Sequence, residues 1–137
     1  MSAAPTLKKS ERLHRKKQIE QLFAGGARSF SLFPLRVVYM PNDELDADVS
    51  ILVSVSKRYF KRAVKRNRVK RLIREAYRKN KQLLIDNIGE GGCKLALAFI
   101  YLSNELPETD VIDARMKVAL QRIAWQQSSK EEKAVNP

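Results

Sequence analysis

Between Lys57 and Lys81 the chain reads KRYFKRAVKRNRVKRLIREAYRKNK. This stretch constrains the fold most, because it holds 13 of the 27 Lys and Arg residues and one of the 15 acids, Glu75. Its net charge of +12 equals that of the whole 137-residue chain, so the rest of the sequence sums to zero. A positive field arising from one segment implies a localised polyanion as partner. Read as a helix, it places Val69, Leu72, Ile73, Ala76, Tyr77, Leu83 and Leu84 on one side by their three-and-four spacing. Asn67, Lys70, Arg71, Arg74 and Arg78 fall on the opposite side. One face must therefore bury in a core while the other stays open as a row of cations about one turn apart. Arg presents five planar donors that fork onto phosphate oxygens, and the Asn67 amide both donates and accepts. A solvated salt-bridge surface is the bland alternative, but it would mix signs; like charges at this spacing repel by about a few tenths of a kcal/mol per pair. Extended backwards, the helix would carry Ala63 and Val64 onto the basic side. Its start is therefore expected between Arg62 and Arg66, with those two residues packed beneath the preceding turn.

At this length the chain is one domain with a sizeable core, and 44% apolar residues argue against overall disorder. No apolar run approaches the roughly 20 residues of a membrane helix, and MSAAPTLKKSERLHRKK lacks the apolar region of a signal peptide. A soluble, cytoplasmic protein is expected. The lone Cys93 has no disulfide partner within the chain and is expected at a strand start. With a pI near 10.1, nucleic acid is the leading partner. An anionic membrane surface ranks below it, since the fold consumes the apolar face of the main helix.

Residues 1–10 read as a flexible tail, followed by one domain over 11–127 and a frayed tail over 128–137. Lys8, Lys9, Arg12, Arg15, Lys16 and Lys17 form a second basic cluster, offset by Glu11. Ile19, Leu22 and Phe23 mark a short amphipathic helix over about 16–24, stopped by Gly25 and Gly26. His14, the only histidine, reads as a surface or phosphate-contacting side chain. ARSFSLFPLRVVYMP reads as extended, with Leu35, Val37 and Tyr39 alternating against Arg36 and Val38 and a bulge or break at Pro34. Residues 42–48 form a turn. VSILVSVS then alternates, with Val49, Ile51, Val53 and Val55 on one side. Two adjacent antiparallel strands are the simplest result. The main helix runs to about Asn87 before Gly89, Gly91 and Gly92. CKLALAFIYL reads as a strand covered on both faces, with Leu95, Leu97, Phe99 and Tyr101 opposite Ala96, Ala98 and Ile100. Val111 to about Gln127 is a helix burying Ile112, Met116, Ala119, Leu120, Ile123 and Ala124. The order α-β-β-α-β-α predicts an α+β fold with a small mixed sheet, whose β-α-β crossover the general rule makes right-handed.

The acids lie in loops and tails without a recurring metal-ligand spacing, and there is no phosphate-binding Gly loop, zinc spacing or second histidine. The chain reads as a binder with no catalytic residues and no bound cofactor or metal. Any chemistry comes from a partner.

AVKRNRVKRLIREAYR, Ala63 to Arg78, resembles the signature of the bacterial ribonuclease P protein subunit, in which an R-N-R core precedes K-R and then R-E. The resemblance extends to VSVSKR (53–58), to Arg12 and Leu13, and to QIEQLFAGG (18–26), covering about residues 7 to 125. It implies a fold like the second domain of ribosomal protein S5, with a left-handed crossover in place of the general rule. It also implies an accessory subunit of a ribonucleoprotein endoribonuclease, joining a catalytic RNA to remove the 5′ leader of precursor tRNA as a monomer in a 1:1 complex. The Mg2+ that the reaction requires would act with the RNA. Contacts to the RNA subunit map onto Lys57, Arg58, Arg66, Asn67, Arg68, Lys70, Arg71 and Arg74. A leader-binding cleft between the first helix and the sheet maps onto Ile19, Phe23, Phe33 and Tyr39, where aromatics would stack unpaired bases. An ordinary core position is the competing reading for Phe23, Phe33 and Tyr39. Two departures stand out: Ile19 where the family often has Phe, and Tyr59–Phe60 in a turn that usually is shorter and contains Gly. The competing functions are a ribosomal or other structural RNA-binding protein and, behind it, a helix-turn-helix DNA regulator, for which no dimer element is evident.

Overall fold

The computed structural model describes residues 7–88 and 94–135, with side chains left undescribed at 87 and from 128 onward. The four strands are β1 (Arg28–Leu32), β2 (Leu35–Pro41), β3 (Val49–Val55) and β4 (Leu95–Tyr101), and the helices are α1 (Lys16–Leu22), α2 (Ala63–Asn80), α3 (Gln82–Ile88) and α4 (Thr109–Val135). A single 3-10 turn, Lys9–Glu11, precedes α1. The predicted break at Pro34 is a two-residue hairpin loop with a cis Phe33–Pro34 bond, so one expected extended stretch is two antiparallel strands.

Sheet order is β1-β2-β4-β3, antiparallel except for the parallel β3–β4 pair. The expected adjacency of β2 and β3 is thus incorrect, because β4 inserts between them. Its residues 95 to 99 are all buried, and only a central strand has both edges paired and both faces covered. The 42–48 loop spans the gap: the Asn42 N–H donates to the Lys94 carbonyl at 2.8 Å and the Leu95 N–H to the Asp48 carbonyl at 2.9 Å.

The two-residue period then sorts every strand side chain. Phe30, Leu35, Val37, Tyr39, Val49, Ile51, Val53, Val55, Leu95, Leu97, Phe99 and Tyr101 meet α2, α3 and α4 in the larger core. All six predicted core residues of α4 lie there too, and Val69, Ile73, Ala76 and Tyr77 bring in α2. On the other face Val38, Ala96 and Ala98 pack with Leu13, Leu22 and Leu45, and the one helix over it is the seven-residue α1, among the described residues. Gly25, at φ 109°, supplies the left-handed residue that turns the chain out of α1.

The main helix starts at Ala63, within the predicted window, but breaks at Lys81 instead of continuing to Asn87. Ala63 and Val64 do not pack beneath the preceding turn; Val64 is 79% exposed, because that turn is held by Arg66. The expected strand-start position of Cys93 and the glycine break at 89–92 lie outside the described residues.

Candidate nucleic-acid interface

The basic helix is set by its inward face. With Val69, Ile73, Ala76 and Tyr77 buried, Asn67, Arg71 and Arg74 come round to the opposite side, separated by four and three residues. Asn67, Arg68 and Arg71 are exposed, while Lys70 and Arg74 are half-buried on the row's flank. Lys57 and Arg58 are exposed in the turn after β3, where the Arg58 N–H donates to Ser56 Oγ at 3.0 Å. Glu75 is the helix's one acid, and Arg78 takes it: Nε and Nη2 donate to its two oxygens at 3.2 and 2.8 Å. That hydrogen bonding pulls the Glu75 pKa below and pushes the Arg78 pKa above their ordinary values. Among the described residues no ion pair engages Arg68, Lys70, Arg71 or Arg74. The charge of the row is not neutralised by an ion pair among the described residues.

Arg66 differs from the rest. It lies two turns before Ile73, on the core side, and its Nη1 donates to the carbonyls of both Phe60 and Lys61 at 2.8 Å. It holds the turn leading into α2, so part of its donor capacity is structural. Tyr59 and Phe60 belong to this turn; Phe60 is buried and stacks on Tyr101 with centroids 6.2 Å apart. Arg12, a residue of the second basic cluster, lies outside the helix, where it bridges Ile51 at the edge of β3. Burial and, second, the charge of Arg12 lower the Arg74 pKa.

The open side of the sheet carries the candidate cleft. Ile19 is half-buried against the smaller core, and Phe23 is 48% exposed at the end of α1. Phe33 lies in the β1–β2 loop, 67% exposed, its carbonyl accepting from Arg115 Nε at 2.9 Å. Tyr39 does not belong to the cleft. It is 1% exposed on the α4 side of the sheet, its ring edge-on to Phe30 and its hydroxyl bonded to Gln126. Strand alternation decides this: odd positions of β2 face α4, and even ones face α1. The cleft floor is instead built by half-buried Met40, Leu52 and Ile100. The register adds Arg36, Ile100 and Ser54 as one row across β2, β4 and β3, with Ser31 beside Arg36 on β1. Counting parity along the strand from Tyr39 would have found Met40. Nothing in the sequence showed how little of this face α1 covers.

Polar contacts tie α1 to the 42–48 loop, with Gln18 Nε2 donating to the Glu44 carbonyl at 3.4 Å and Arg15 paired to Asp46 at 3.2 Å. Of the loop acids, Asp46 is thus paired beside α1. No group of three or more His, Cys, Asp or Glu able to hold a metal ion occurs among the described residues. No helix there is long and apolar enough to cross a membrane.

The profile of the family described as Ribonuclease P matches residues 7–124. A ribonuclease P protein component of Porphyromonas gingivalis strain W83 is 47% identical over 127 residues, spanning 90% of this chain and 92% of its own. One from Chlorobaculum tepidum is 35% identical over 103 residues, 69% and 66% of the two chains. The fold is similar to that of the ribonuclease P protein of Thermotoga maritima, at 20% identity and a TM-score of 0.65 over 82% of this chain and 96% of that one. The Staphylococcus aureus protein gives 22% and 0.65 over 85% and 96%.

Proposed function

The chain belongs to the ribonuclease P protein family, accessory subunits of a tRNA-processing ribonucleoprotein endoribonuclease, and we propose that its two surfaces hold two RNAs. The row of α2 with Lys57 and Arg58 docks on the catalytic RNA, and the open sheet face beside α1 receives the single-stranded 5′ leader of precursor tRNA. The observation that carries this reading is the concentration of the entire net charge between Lys57 and Lys81, on a helix whose only acid is already paired.

The exposed guanidiniums meet phosphates by charge-assisted hydrogen bonds, each releasing condensed counterions. Repulsion between the two RNAs falls as a result. On the cleft, Phe23 and Phe33 offer π-faces and Met40, Leu52 and Ile100 an apolar floor. Stacking accepts any base, which suits leaders of varied sequence and broadens the substrate range. Bond breaking lies with the catalytic RNA and the Mg2+ it holds; the protein's own residues bind and orient. The working unit is a cytoplasmic 1:1 complex of one protein and one catalytic RNA.

The test is cleavage of 5′-labelled precursor tRNA by the cognate catalytic RNA at low Mg2+, with and without the protein. Rescue with a mature 5′ end, together with tighter binding of precursor but not of mature tRNA, is the expected result. Equal gains for both would remove the leader cleft from the mechanism, and no rescue would return the chain to a purely structural RNA-binding role.

A further inference from the structure

Residues 8–13 form a strap along the outer edge of β3. Ser50 Oγ donates to the Ser10 carbonyl at 3.0 Å, Arg12 bridges Ile51, and the Leu13 N–H donates to the Ile51 carbonyl at 2.7 Å. The strap's other anchor is ionic. Lys81 Nζ lies 2.9 and 3.1 Å from the two carboxylate oxygens of Glu11, and both residues are buried. Glu11 also accepts from the Lys8 N–H at 3.1 Å. Two desolvated charges do little for net stability compared with apolar side chains of the same size, and the best-attested use of such pairs is to fix one arrangement among several. Here the arrangement joins two segments 70 residues apart.

What the pair fixes is a cation. Lys81 directly follows α2, and Arg74 stands two turns before it on the same side. Arg12, next in sequence to Glu11, bridges Ile51, a residue of the core that α2 seals, and so stands on the α2 side of β3. Neither Arg12 nor Arg74 is paired to an acid among the described residues, and like charges on the same side of α2 repel in the free protein. A phosphate between them removes that repulsion.

We propose that Glu11–Lys81 is a latch that adds Arg12 to the phosphate-binding row of α2, which makes Glu11 a positioning residue for the RNA subunit. The inference rests on the docking of α2 to the catalytic RNA. It has an unusual sign. Glu11→Gln raises the net charge by one, so plain electrostatics gives tighter RNA binding. The latch gives about 3- to 10-fold weaker binding, with a salt-dependence slope smaller by roughly one phosphate contact.

The experiment titrates the full chain onto its cognate catalytic RNA across a salt series, with thermal unfolding as the check on folding. Arg12→Ala should weaken the native protein and add nothing in the Glu11→Gln background. Ser50→Ala loosens the strap with no change of charge, should weaken binding about 2-fold, and carries the test if Glu11→Gln does not fold. Arg71→Ala runs alongside. If it binds as tightly as native, α2 docking itself fails. If it binds more weakly while Glu11→Gln is unchanged or tighter, or while Ser50→Ala is unchanged where Glu11→Gln does not fold, the latch alone is overturned.

Discussion

The two faces of the one sheet are built from alternate residues of the same strands, yet they have opposite fates. One is sealed by α2, α3 and α4, and its aromatic residues Tyr39, Phe99 and Tyr101 are buried. The other is covered by seven residues of α1 and leaves Met40, Leu52 and Ile100 half-open. The difference teaches that where a side chain stands in the period matters more than its chemistry. Tyr39 has the right ring for stacking a base and points the wrong way, whereas Met40, one residue on, has an unremarkable side chain in the right place. It also separates the two proposed RNA contacts: the sealed face supports the helix proposed to dock on the catalytic RNA, and the open face is the one proposed to receive the substrate.

The largest effect expected from this contrast is on folding. Tyr39→Ala should cost about 3–5 kcal/mol of unfolding free energy, the range for truncating a large buried aromatic. Ile100→Ala should cost less than about 2 kcal/mol, since its side chain is only partly removed from water. Urea unfolding of the two variants decides the matter; equal losses would mean that the faces are equally packed.

Next comes the separation of partners. Arg71→Ala should weaken binding to the catalytic RNA by about 1–3 kcal/mol and lower the salt slope by about one contact. The ratio of precursor to mature tRNA affinity should not move. Arg74→Ala should weaken the same binding by a similar amount. Phe23→Ala should do the reverse of Arg71→Ala, lowering precursor affinity by about 1 kcal/mol and leaving mature tRNA alone. A loss of both substrates in equal measure would merge the two surfaces into one.

The smallest expected effect concerns the clamp between α2 and α4. The Asn80 amide donates to Asp113 at 2.7 Å, and with Lys117 behind it holds that carboxyl below its ordinary value. A pKa lowered in the folded state stabilises above the unfolded carboxylate value, about 4, and that contribution disappears as pH falls through the folded one. Asp113→Asn should therefore cost under about 1 kcal/mol at neutral pH, given its exposure, and flatten the acid side of the stability curve. Urea midpoints measured from pH 3 to 7 check it.

Most of the fold was legible because periodicity is local. The start of α2, the sidedness of β3 and β4 and the six α4 residues expected in the core follow from spacing alone. The site was legible in part. Asn67, Arg68 and Arg71 stand exposed as expected, while Arg66, on the core side of its own helix, turns its guanidinium onto two carbonyls. Arg12 could be seen as basic but not as a residue bridged to Ile51 on the α2 side of β3.

By itself, then, the sequence determined where the charge sits, which face of each element is apolar, and the family to which the chain belongs, since each is a property of residues close together along the chain. Tertiary structure alone decided that β4 lies between β2 and β3, that Tyr39 faces α4, and that Glu11 meets Lys81. Those outcomes depend on which segments pair across dozens of residues, and pairing is settled by burying the most apolar strand at the centre, a competition among all the strands at once.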